Sequence, residues 1–484
     1  MDKYSVQIPE KGRDKTQILE DLKGFGTEDA NYKDGKTWSL VYYLGDEYNQ
    51  FLKDAYGSYF SENGLNPMAF KSLKKFESEV IRMTASLLNG DDNVVGTMTS
   101  GGTESCLLAV KTYRDMARAK RPWIRNPEMI VPESIHVAFE KAAHYFGVKA
   151  VHAPLGKDFR VDVKAVKKLI NRNTILLVGS APAYPHGVVD PIEELSNLAI
   201  KKKLPLHVDS CVGGFMLPFV ERLGYPVPRF DFRVPGVTSI SADVHKYGFA
   251  AKGASTVVYR NMDYMKHQMF VFTNWPGGIF ASPALLGTRP GGAMAAAWAA
   301  MNAMGMEGYM NNAREVMDTT KKLINGINNF PEFEVLGEPH MCVFAFKSVS
   351  KDLSIYAVAD QMEERGWHID RQQRPESMHA MVTPYHTEFA DQYLSDLKES
   401  VEVVRSNPEL AESGGAAMYG MISNIPLRGM IKKNVLQMMM DMYSAVPKMP
   451  DMNSSEDADD LATKAGMMFI KAKKKLIDKI DQYR

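Results

Sequence analysis

Seven short, largely apolar runs separated by amphipathic stretches constrain the fold of this chain more than any other feature. They read NVVGTMT (93–99), EMIVP (128–132), KAVHA (149–153), TILLVG (174–179), LPLHVD (204–209), VTSIS (237–241) and STVVY (255–259). Strands that are apolar throughout and alternate with helices predict a mainly parallel sheet covered on both faces. In such sheets, ligands bind at the carboxyl ends of the strands.

The chain changes character on either side of these runs. Residues 1–60 are polar and rich in aromatic residues with weak periodicity, so we expect an arm that packs onto another surface. After about residue 315, short strand-like runs and helical stretches predict a smaller α+β unit. We therefore predict an N-terminal arm and dimerisation segment at 1–60, a large α/β domain at 61–315 and a small C-terminal domain at 316–484.

Composition excludes several classes of protein. The 58 basic and 58 acidic residues cancel, which gives no electrostatic reason to expect nucleic acid as a partner. Cys106, Cys211 and Cys342 are widely spaced in apolar surroundings, so we predict buried thiols and no metal site. Because the N-terminus has no apolar signal-like region and no run of 18 apolar residues occurs, we expect a soluble, cytoplasmic protein without a transmembrane segment.

Two ionisable residues lie where buried strands are predicted to end. Lys246 lies within VTSISADVHKYGFAAKGASTVVY. Burying an ammonium without a partner is expensive, so such a lysine is expected to be modified or paired. Asp209, in LHVDSCVGG, is in a similar position, where a carboxylate needs a cation or several hydrogen-bond donors. A role as a helix N-cap would also explain Asp209.

A glycine-rich segment, TSGGTES at 99–105, follows the first strand and opens the helix predicted at 104–119. Small residues there would let the backbone approach a phosphate, although a plain N-cap turn explains the segment equally well. His136 begins another helix, where it could stack on a ring or lie at the surface. With Lys246 and Asp209, these features fit pyridoxal phosphate, whose aldehyde forms a Schiff base with a lysine.

In these motifs the chain resembles the group II decarboxylase branch of fold type I pyridoxal-phosphate enzymes, and within it the lyases of phosphorylated sphingoid bases. The likeness runs from about residue 36 to about residue 445 and includes FSENGLNPMAFKSLKKFESEV, MTSGGTESCLLAVKTYRD, HVDSCVGGF, ISADVHKYGFAAKGAS and GTRPGGAMAAAWAAM. Amino-acid decarboxylases of this branch usually carry HKW or HKF where this chain has HKYG. The resemblance implies the fold type I architecture, with a seven-stranded large domain, a smaller C-terminal domain and an obligate homodimer with shared active sites.

The resemblance also implies a role for particular residues. For the cofactor these are Lys246 at the aldehyde, Asp209 at the pyridinium nitrogen, His136 on the ring, Gly102, Thr103 and His245 at the phosphate, and Thr288 at the phosphate of the neighbouring subunit. For proton transfer they are Lys246, Tyr184 and Lys252, and near the substrate they are Tyr42, Asn63 and Asn66. A cationic neighbour and an apolar wall are expected to lower the proton affinity of such lysines.

The function that this resemblance implies is retro-aldol cleavage of a phosphorylated sphingoid base to a long-chain aldehyde and phosphoethanolamine. The chain departs from the family where Asn66 replaces a histidine, and where Phe249 and Ala251 replace a tyrosine and a proline. Asparagine cannot titrate between pH 5 and 8 as histidine does, which affects phosphate handling or proton transfer. Two alternatives stay open: an amino-acid decarboxylase on the same fold, and a catalytically silent binding or regulatory protein.

Overall fold

The computed structural model describes residues 7–424 and 428–445 of the chain. All seven predicted strands are present and form one sheet, in the order β1-β7-β6-β5-β4-β2-β3. Their bounds are β1 Val95–Thr99, β2 Glu128–Pro132, β3 Lys149–Ala153, β4 Thr174–Ser180, β5 Leu206–Asp209, β6 Val237–Ala242 and β7 Ser255–Tyr259. Strand β7 is antiparallel to both of its neighbours, and the other neighbouring pairs are parallel. The predicted mainly parallel sheet is confirmed.

The helices pack on this sheet and extend beyond it. Their bounds are α1 Lys15–Phe25, α2 Asp46–Gly57, α3 Lys71–Leu87, α4 Gly102–Lys120, α5 Ala138–Phe146, α6 Val163–Leu169, α7 Ile192–Lys202, α8 Leu217–Arg222, α9 Met262–Met265, α10 Gly291–Asn328, α11 Ile355–Glu364, α12 Ala390–Ser406, α13 Gly414–Asn424 and α14 Arg428–Met442. Helices cover a sheet whose strands β2, β4, β5, β6 and β7 are buried along their whole length. Burial on both faces explains why these strands read as continuous apolar runs.

A second, four-stranded antiparallel sheet has the order β10-β11-β13-β12. Its strands are β10 Phe333–Val335, β11 Val343–Ser348, β12 Asp370–Gln373 and β13 Glu376–Met381. This small sheet agrees with the α+β unit predicted after residue 315. The predicted boundary at 315/316 falls within α10, and the division into three parts stays a prediction. Residues 446–484 of the predicted C-terminal domain lie outside the described residues.

The N-terminal segment holds α1 and α2, and α2 packs against α10. This contact depends on a glycine, since a Cβ atom at Gly292 would lie 2.6 Å from the ring of Tyr56. The sequence analysis missed a hairpin, β8 Phe270–Trp275 and β9 Gly278–Ser282. Most of its apolar side chains are exposed, so no buried face imposes a period on its sequence.

Among residues 7–424 and 428–445, no helix combines the length and the hydropathy that crossing a bilayer requires. The hydrophobic core lies between the sheets and the helices that cover them. The carboxyl ends of β5 and β6 lie side by side in this core, with Asp209 paired in register to Ser241. The two strand ends that the sequence singled out therefore meet.

Candidate active site

A cavity of about 430 Å³ opens at the carboxyl ends of these strands, beside the first turn of α4. A volume of this size suits a small-molecule ligand. Most of the predicted site residues line this cavity: Gly102, Thr103, His136, Tyr184, Asp209, His245, Lys246 and Lys252. These residues are spread over more than 140 positions of the sequence, and all of them line the same cavity.

Lys246 is paired with a residue that the sequence analysis missed. Its Nζ lies 3.0 Å from Oδ2 of Asp243, a fully buried carboxylate that also accepts a 2.5 Å hydrogen bond from Ser255. Burial alone would lower the pKa of Lys246, but the Asp243 carboxylate outweighs burial and raises this pKa above its ordinary value. The expected lowering is therefore wrong for Lys246. An acidic residue three positions before the lysine was the available signal.

Asp209 lies at the floor of the cavity within a hydrogen-bond network. Its Oδ1 accepts hydrogen bonds from the backbone N–H of Cys211 at 3.1 Å and from the Ser241 hydroxyl at 3.3 Å. His207, two residues earlier on β5, forms hydrogen bonds with the hydroxyls of Ser239 and Ser241. These contacts hold the carboxylate at one position, as a group that binds a ring nitrogen must be held.

The glycine-rich segment begins helix α4 beside Asp243 and Cys211. A Cβ atom at Gly102 would lie 2.6 Å from Oδ2 of Asp243 and 3.0 Å from Sγ of Cys211, so only glycine fits there. The helix N-terminus therefore reaches the cavity with exposed backbone, which suits an anion such as a phosphate. Glu104, in the first turn of α4, accepts a hydrogen bond from the Ser100 N–H at 2.7 Å.

Two histidines face the cavity with defined ring nitrogens. Nδ1 of His136 accepts a hydrogen bond from the Ala138 N–H at 3.1 Å, so in the neutral ring Nε2 carries the proton. Nδ1 of His245 donates to the Ala254 carbonyl at 2.7 Å. Burial lowers the pKa of His245 despite the nearby Asp243 carboxylate. Because Nδ1 carries the proton, Nε2 of a neutral His245 can only accept a hydrogen bond, and it becomes a donor when the ring is protonated.

Lys252 lies at the rim of the cavity. Its Nζ donates to the Leu40 carbonyl at 2.8 Å and lies 5.0 Å from the centre of the Tyr42 ring. Burial and the charge of Lys246 lower the pKa of Lys252 to about 8, while the Asp243 carboxylate opposes this change. The expected lowering of proton affinity holds for this lysine.

Tyr184 extends into the cavity from the loop after β4. Its hydroxyl donates to Oδ2 of Asp370 at 3.2 Å, and its backbone carbonyl accepts a hydrogen bond from Nε2 of His379 at 2.9 Å. Asp370 and His379 belong to the small sheet and were not predicted as site residues. They lie almost 200 positions from Tyr184 in the sequence, and no local motif indicated them.

Four predicted residues lie outside this cavity. Tyr42 and Lys252 both line a neighbouring pocket, and the Tyr42 ring packs edge-on against the Tyr247 ring. Asn66 and Thr288 are exposed, and Asn63 is partly exposed and forms a bridge to Pro290. The segments that carry these three residues are therefore adjacent to each other, and their side chains do not line the cavity of their own chain.

The three cysteines are buried free thiols, as predicted. Sγ of Cys106 and Sγ of Cys211 lie 4.0 Å apart, and with the Asp209 carboxylate they form a cluster within 4.8 Å. A metal would require thiolates at this cluster. The contact with Cys106 and burial raise the pKa of Cys211, which favours the neutral thiol.

Comparison with known proteins places this geometry in a family. Residues 3–349 match the family described as the pyridoxal-dependent decarboxylase conserved domain. The chain is 47% identical over 431 residues to sphingosine-1-phosphate lyase of Oryza sativa subsp. japonica, covering 87% of this chain and 79% of that protein. It is 44% identical over 447 residues to sphingosine-1-phosphate lyase 1 of Rattus norvegicus, covering 92% and 78%.

Solved structures agree with these sequence relatives. A sphingosine-1-phosphate lyase of Burkholderia pseudomallei superposes with a TM-score of 0.82 at 39% identity, covering 90% of this chain and 97% of that one. A glutamate decarboxylase of Lactobacillus brevis has a TM-score of 0.72 at 19% identity, covering 83% and 95%, and so shares the fold alone. The chain therefore belongs to the pyridoxal-dependent decarboxylase family and, within it, to the sphingosine-1-phosphate lyases.

Proposed function

We propose that this protein cleaves the C2–C3 bond of phosphorylated sphingoid bases and releases a long-chain aldehyde and phosphoethanolamine. The observation that carries the proposal is the convergence of Lys246, Asp209, His136 and Tyr184 on one cavity. Identity of 39–47% to sphingosine-1-phosphate lyases supports this reaction over decarboxylation, because the decarboxylase neighbour shares only the fold.

The cofactor is pyridoxal phosphate, and the residues of the cavity fit it. Gly102, Thr103 and His245 would hold its phosphate at the start of α4, and Asp209 would bind its ring nitrogen. His136 would cover the ring face, and Lys246 would attach to the aldehyde. Bound in this way, pyridoxal phosphate supplies an electron sink for breaking a bond next to the amine-bearing carbon of the substrate.

The side chains at the rim would act on the substrate. Lys252, whose pKa is lowered to about 8, is suited to accept and return a proton near neutral pH. Tyr184 would contact the reacting end of the substrate from the other side. In the balanced reaction, the C3 hydroxyl loses its proton and becomes the aldehyde, while C2 gains a proton and leaves as phosphoethanolamine.

We further propose that two copies of the chain share their active sites. Thr288 is exposed and lies outside the cavity of its own chain, next to the segment that carries Asn63 and Asn66. The nearby hairpin exposes a row of apolar side chains, and such patches mark interaction surfaces. They are Phe270, Val271, Phe272, Trp275 and Ile279. Thr288 would then reach the cofactor phosphate of the second copy. Analytical ultracentrifugation of wild type and of Trp275→Glu tests this, and a monomeric, fully active wild type would contradict it.

Product analysis by mass spectrometry tests the proposed reaction. Purified protein loaded with pyridoxal phosphate is incubated with a phosphorylated sphingoid base in one sample and with mixed amino acids in another. We expect phosphoethanolamine and a long-chain aldehyde in the first sample only, and neither product from Lys246→Ala. Amines and carbon dioxide from the second sample, without any aldehyde, would instead identify an amino-acid decarboxylase.

A further inference from the structure

Two residues of the small sheet contact Tyr184. Asp370 on β12 and His379 on β13 are directly paired across the two strands, so their side chains lie on one face of the sheet. The Tyr184 ring lies against the His379 ring, with 4.5 Å between the ring centres. One cross-strand pair therefore contacts the backbone, the ring and the hydroxyl of a residue that lines the cavity.

His379 fixes the backbone and the ring of Tyr184. A backbone carbonyl can only accept hydrogen bonds, so Nε2 of His379, 2.9 Å from the Tyr184 carbonyl oxygen, must carry a proton. Nδ1 of the same ring lies 3.8 Å from Oδ2 of Asp370. The His379 side chain is completely buried, which leaves the ring little freedom to turn.

Asp370 fixes the direction of the Tyr184 hydroxyl. A phenol has one proton to donate, and here the Tyr184 proton is directed to Oδ2 of Asp370 at 3.2 Å. Burial raises the pKa of Asp370, but the nearby His379 ring and hydrogen bonds from Ser39 and Tyr184 outweigh burial and lower it, so the carboxylate is ionised at neutral pH. An ionised Asp370 can only accept the bond.

We propose that Asp370 is a positioning residue that determines specificity, because it makes the Tyr184 hydroxyl a hydrogen-bond acceptor toward the cavity. The site then selects substrates that present a donor at this point, and we identify that donor as the C3 hydroxyl of the substrate. This inference rests on the proposed function. A substrate carboxylate at the same point would meet an oxygen lone pair with the Asp370 charge behind it, which is repulsive.

The same arrangement provides a path for the proton that the reaction releases. As the C2–C3 bond breaks, the C3 hydroxyl proton passes to the Tyr184 oxygen while the Tyr184 proton moves to Asp370. The electron pair of the O–H bond forms the new carbonyl of the aldehyde. The electron pair of the C2–C3 bond stays with C2 until C2 is protonated.

Steady-state kinetics of Asp370→Asn, Tyr184→Phe and the double variant test this inference. The substrate is a phosphorylated sphingoid base, and its 3-deoxy analogue, which cannot undergo the cleavage, is used as a competitive inhibitor. We expect Asp370→Asn to lower kcat by roughly 10² fold, at the lower end of what positioned proton transfer contributes, and to raise KM, because the substrate hydroxyl loses its oriented acceptor. The inhibition constant of the 3-deoxy analogue should stay unchanged, because the analogue has no hydroxyl to donate.

We also expect the double variant to be no slower than Tyr184→Phe, because Asp370 acts through Tyr184. Asp391→Asn, which removes an exposed carboxylate on α12, is the matched control and should keep wild-type kcat. Wild-type kcat in Asp370→Asn, or independent losses that multiply in the double variant, would overturn the inference.

Two further results keep the test decisive. If Asp370→Asn does not fold, the ratio of KM for the substrate to the inhibition constant of the 3-deoxy analogue is compared in wild type and Tyr184→Phe. A ratio that Tyr184→Phe leaves unchanged would contradict the selection of a donor. If wild type forms no aldehyde, the proposed function fails; if wild type is active and Asp370→Asn equals it, only this inference fails.

Discussion

The two sides of the cavity are built in different ways. On the large-sheet side, Asp209, Asp243 and Lys246 lie at or just after strand ends, where hydroxyls and an ion pair hold them. On the small-sheet side, Tyr184 depends on Asp370 and His379, which belong to another sheet and lie far away in the sequence. The first side is set by local chain geometry, and the second by how two sheets pack.

Substitutions on the two sides of the cavity should therefore impair different properties of the protein. A change on the large-sheet side should alter how the cofactor is held, because the strand ends supply its contacts. A change on the small-sheet side should leave the cofactor in place and slow the reaction.

Lys246→Ala should have the largest effect. Without the amine the cofactor has no covalent attachment, and we expect activity to fall by at least about 10³ fold, as for loss of a positioned catalytic group. The visible absorbance of the loaded protein and aldehyde formation measure both effects. Lys201→Ala, an exposed lysine at the end of α7, is the control and should match wild type in both. Retained absorbance in Lys246→Ala would show that the attachment lies elsewhere.

Asp243→Asn should destabilise the cofactor-free protein. It leaves the Lys246 ammonium without its buried partner, and breaking such a pair costs roughly 3 kcal/mol in the free energy of unfolding. Because the folded-state pKa of Asp243 is lowered, its contribution is present above the ordinary pKa of 3.8 and is lost as pH falls through the folded value. Urea unfolding at pH 7 and below pH 4 measures this.

The difference between wild type and Asp243→Asn should therefore shrink in acid. Lys246→Ala combined with Asp243→Asn provides the control, because the unpaired ammonium is then absent and the extra destabilisation should disappear. Equal stability of wild type and Asp243→Asn at pH 7 would mean that the ion pair contributes nothing net.

His379→Ala should affect catalysis but not cofactor retention. It leaves the partly buried carbonyl of Tyr184 without a donor, which costs about 1 kcal/mol, and it frees the Tyr184 ring to move. We expect a fall in kcat with unchanged visible absorbance of the loaded protein. Loss of that absorbance would contradict the separation of the two sides, because the small sheet would then also hold the cofactor.

The smallest effect concerns the basicity of Lys252. Its lowered pKa predicts that the rate at which trinitrobenzenesulfonate modifies this lysine in cofactor-free protein rises with a midpoint near pH 8, since only the neutral amine reacts. Peptide mapping by mass spectrometry follows Lys252 and the exposed Lys201 in the same sample. In Lys246→Ala the Lys252 midpoint should rise, because the Lys246 charge that lowers it is gone. Identical midpoints for Lys252 and Lys201 would refute the lowering.

The same contrast explains what the sequence could predict. Continuous apolar runs indicated all seven strands, and burial on both faces accounts for the runs of β2, β4, β5, β6 and β7. Lys246, Asp209 and His136 could be found because each follows a predicted strand, and strand ends of a parallel sheet share an edge. Asp243 could have been found in the same way, as the acid beside a buried lysine.

Asp370 and His379 could not be found from the sequence. Their contact with Tyr184 depends on how the small sheet packs against the loop after β4, and no spacing within the chain encodes that distance. The exposed hairpin β8–β9 was missed for a related reason. The apolar residues of this hairpin are mostly exposed, so their spacing does not reflect packing into the core of the chain.

The pairing of Asp370 with His379 limits where residues can be inserted, deleted or exchanged with those of a related protein. Neighbouring residues of a strand point to opposite faces, so a shift of one position between β12 and β13 would turn His379 away and present Met378 or Ala380 instead. Connecting turns usually tolerate inserted or deleted residues. The two-residue turn at 374–375 should not, and crossover points in chimeric lyases are best kept outside residues 370–379.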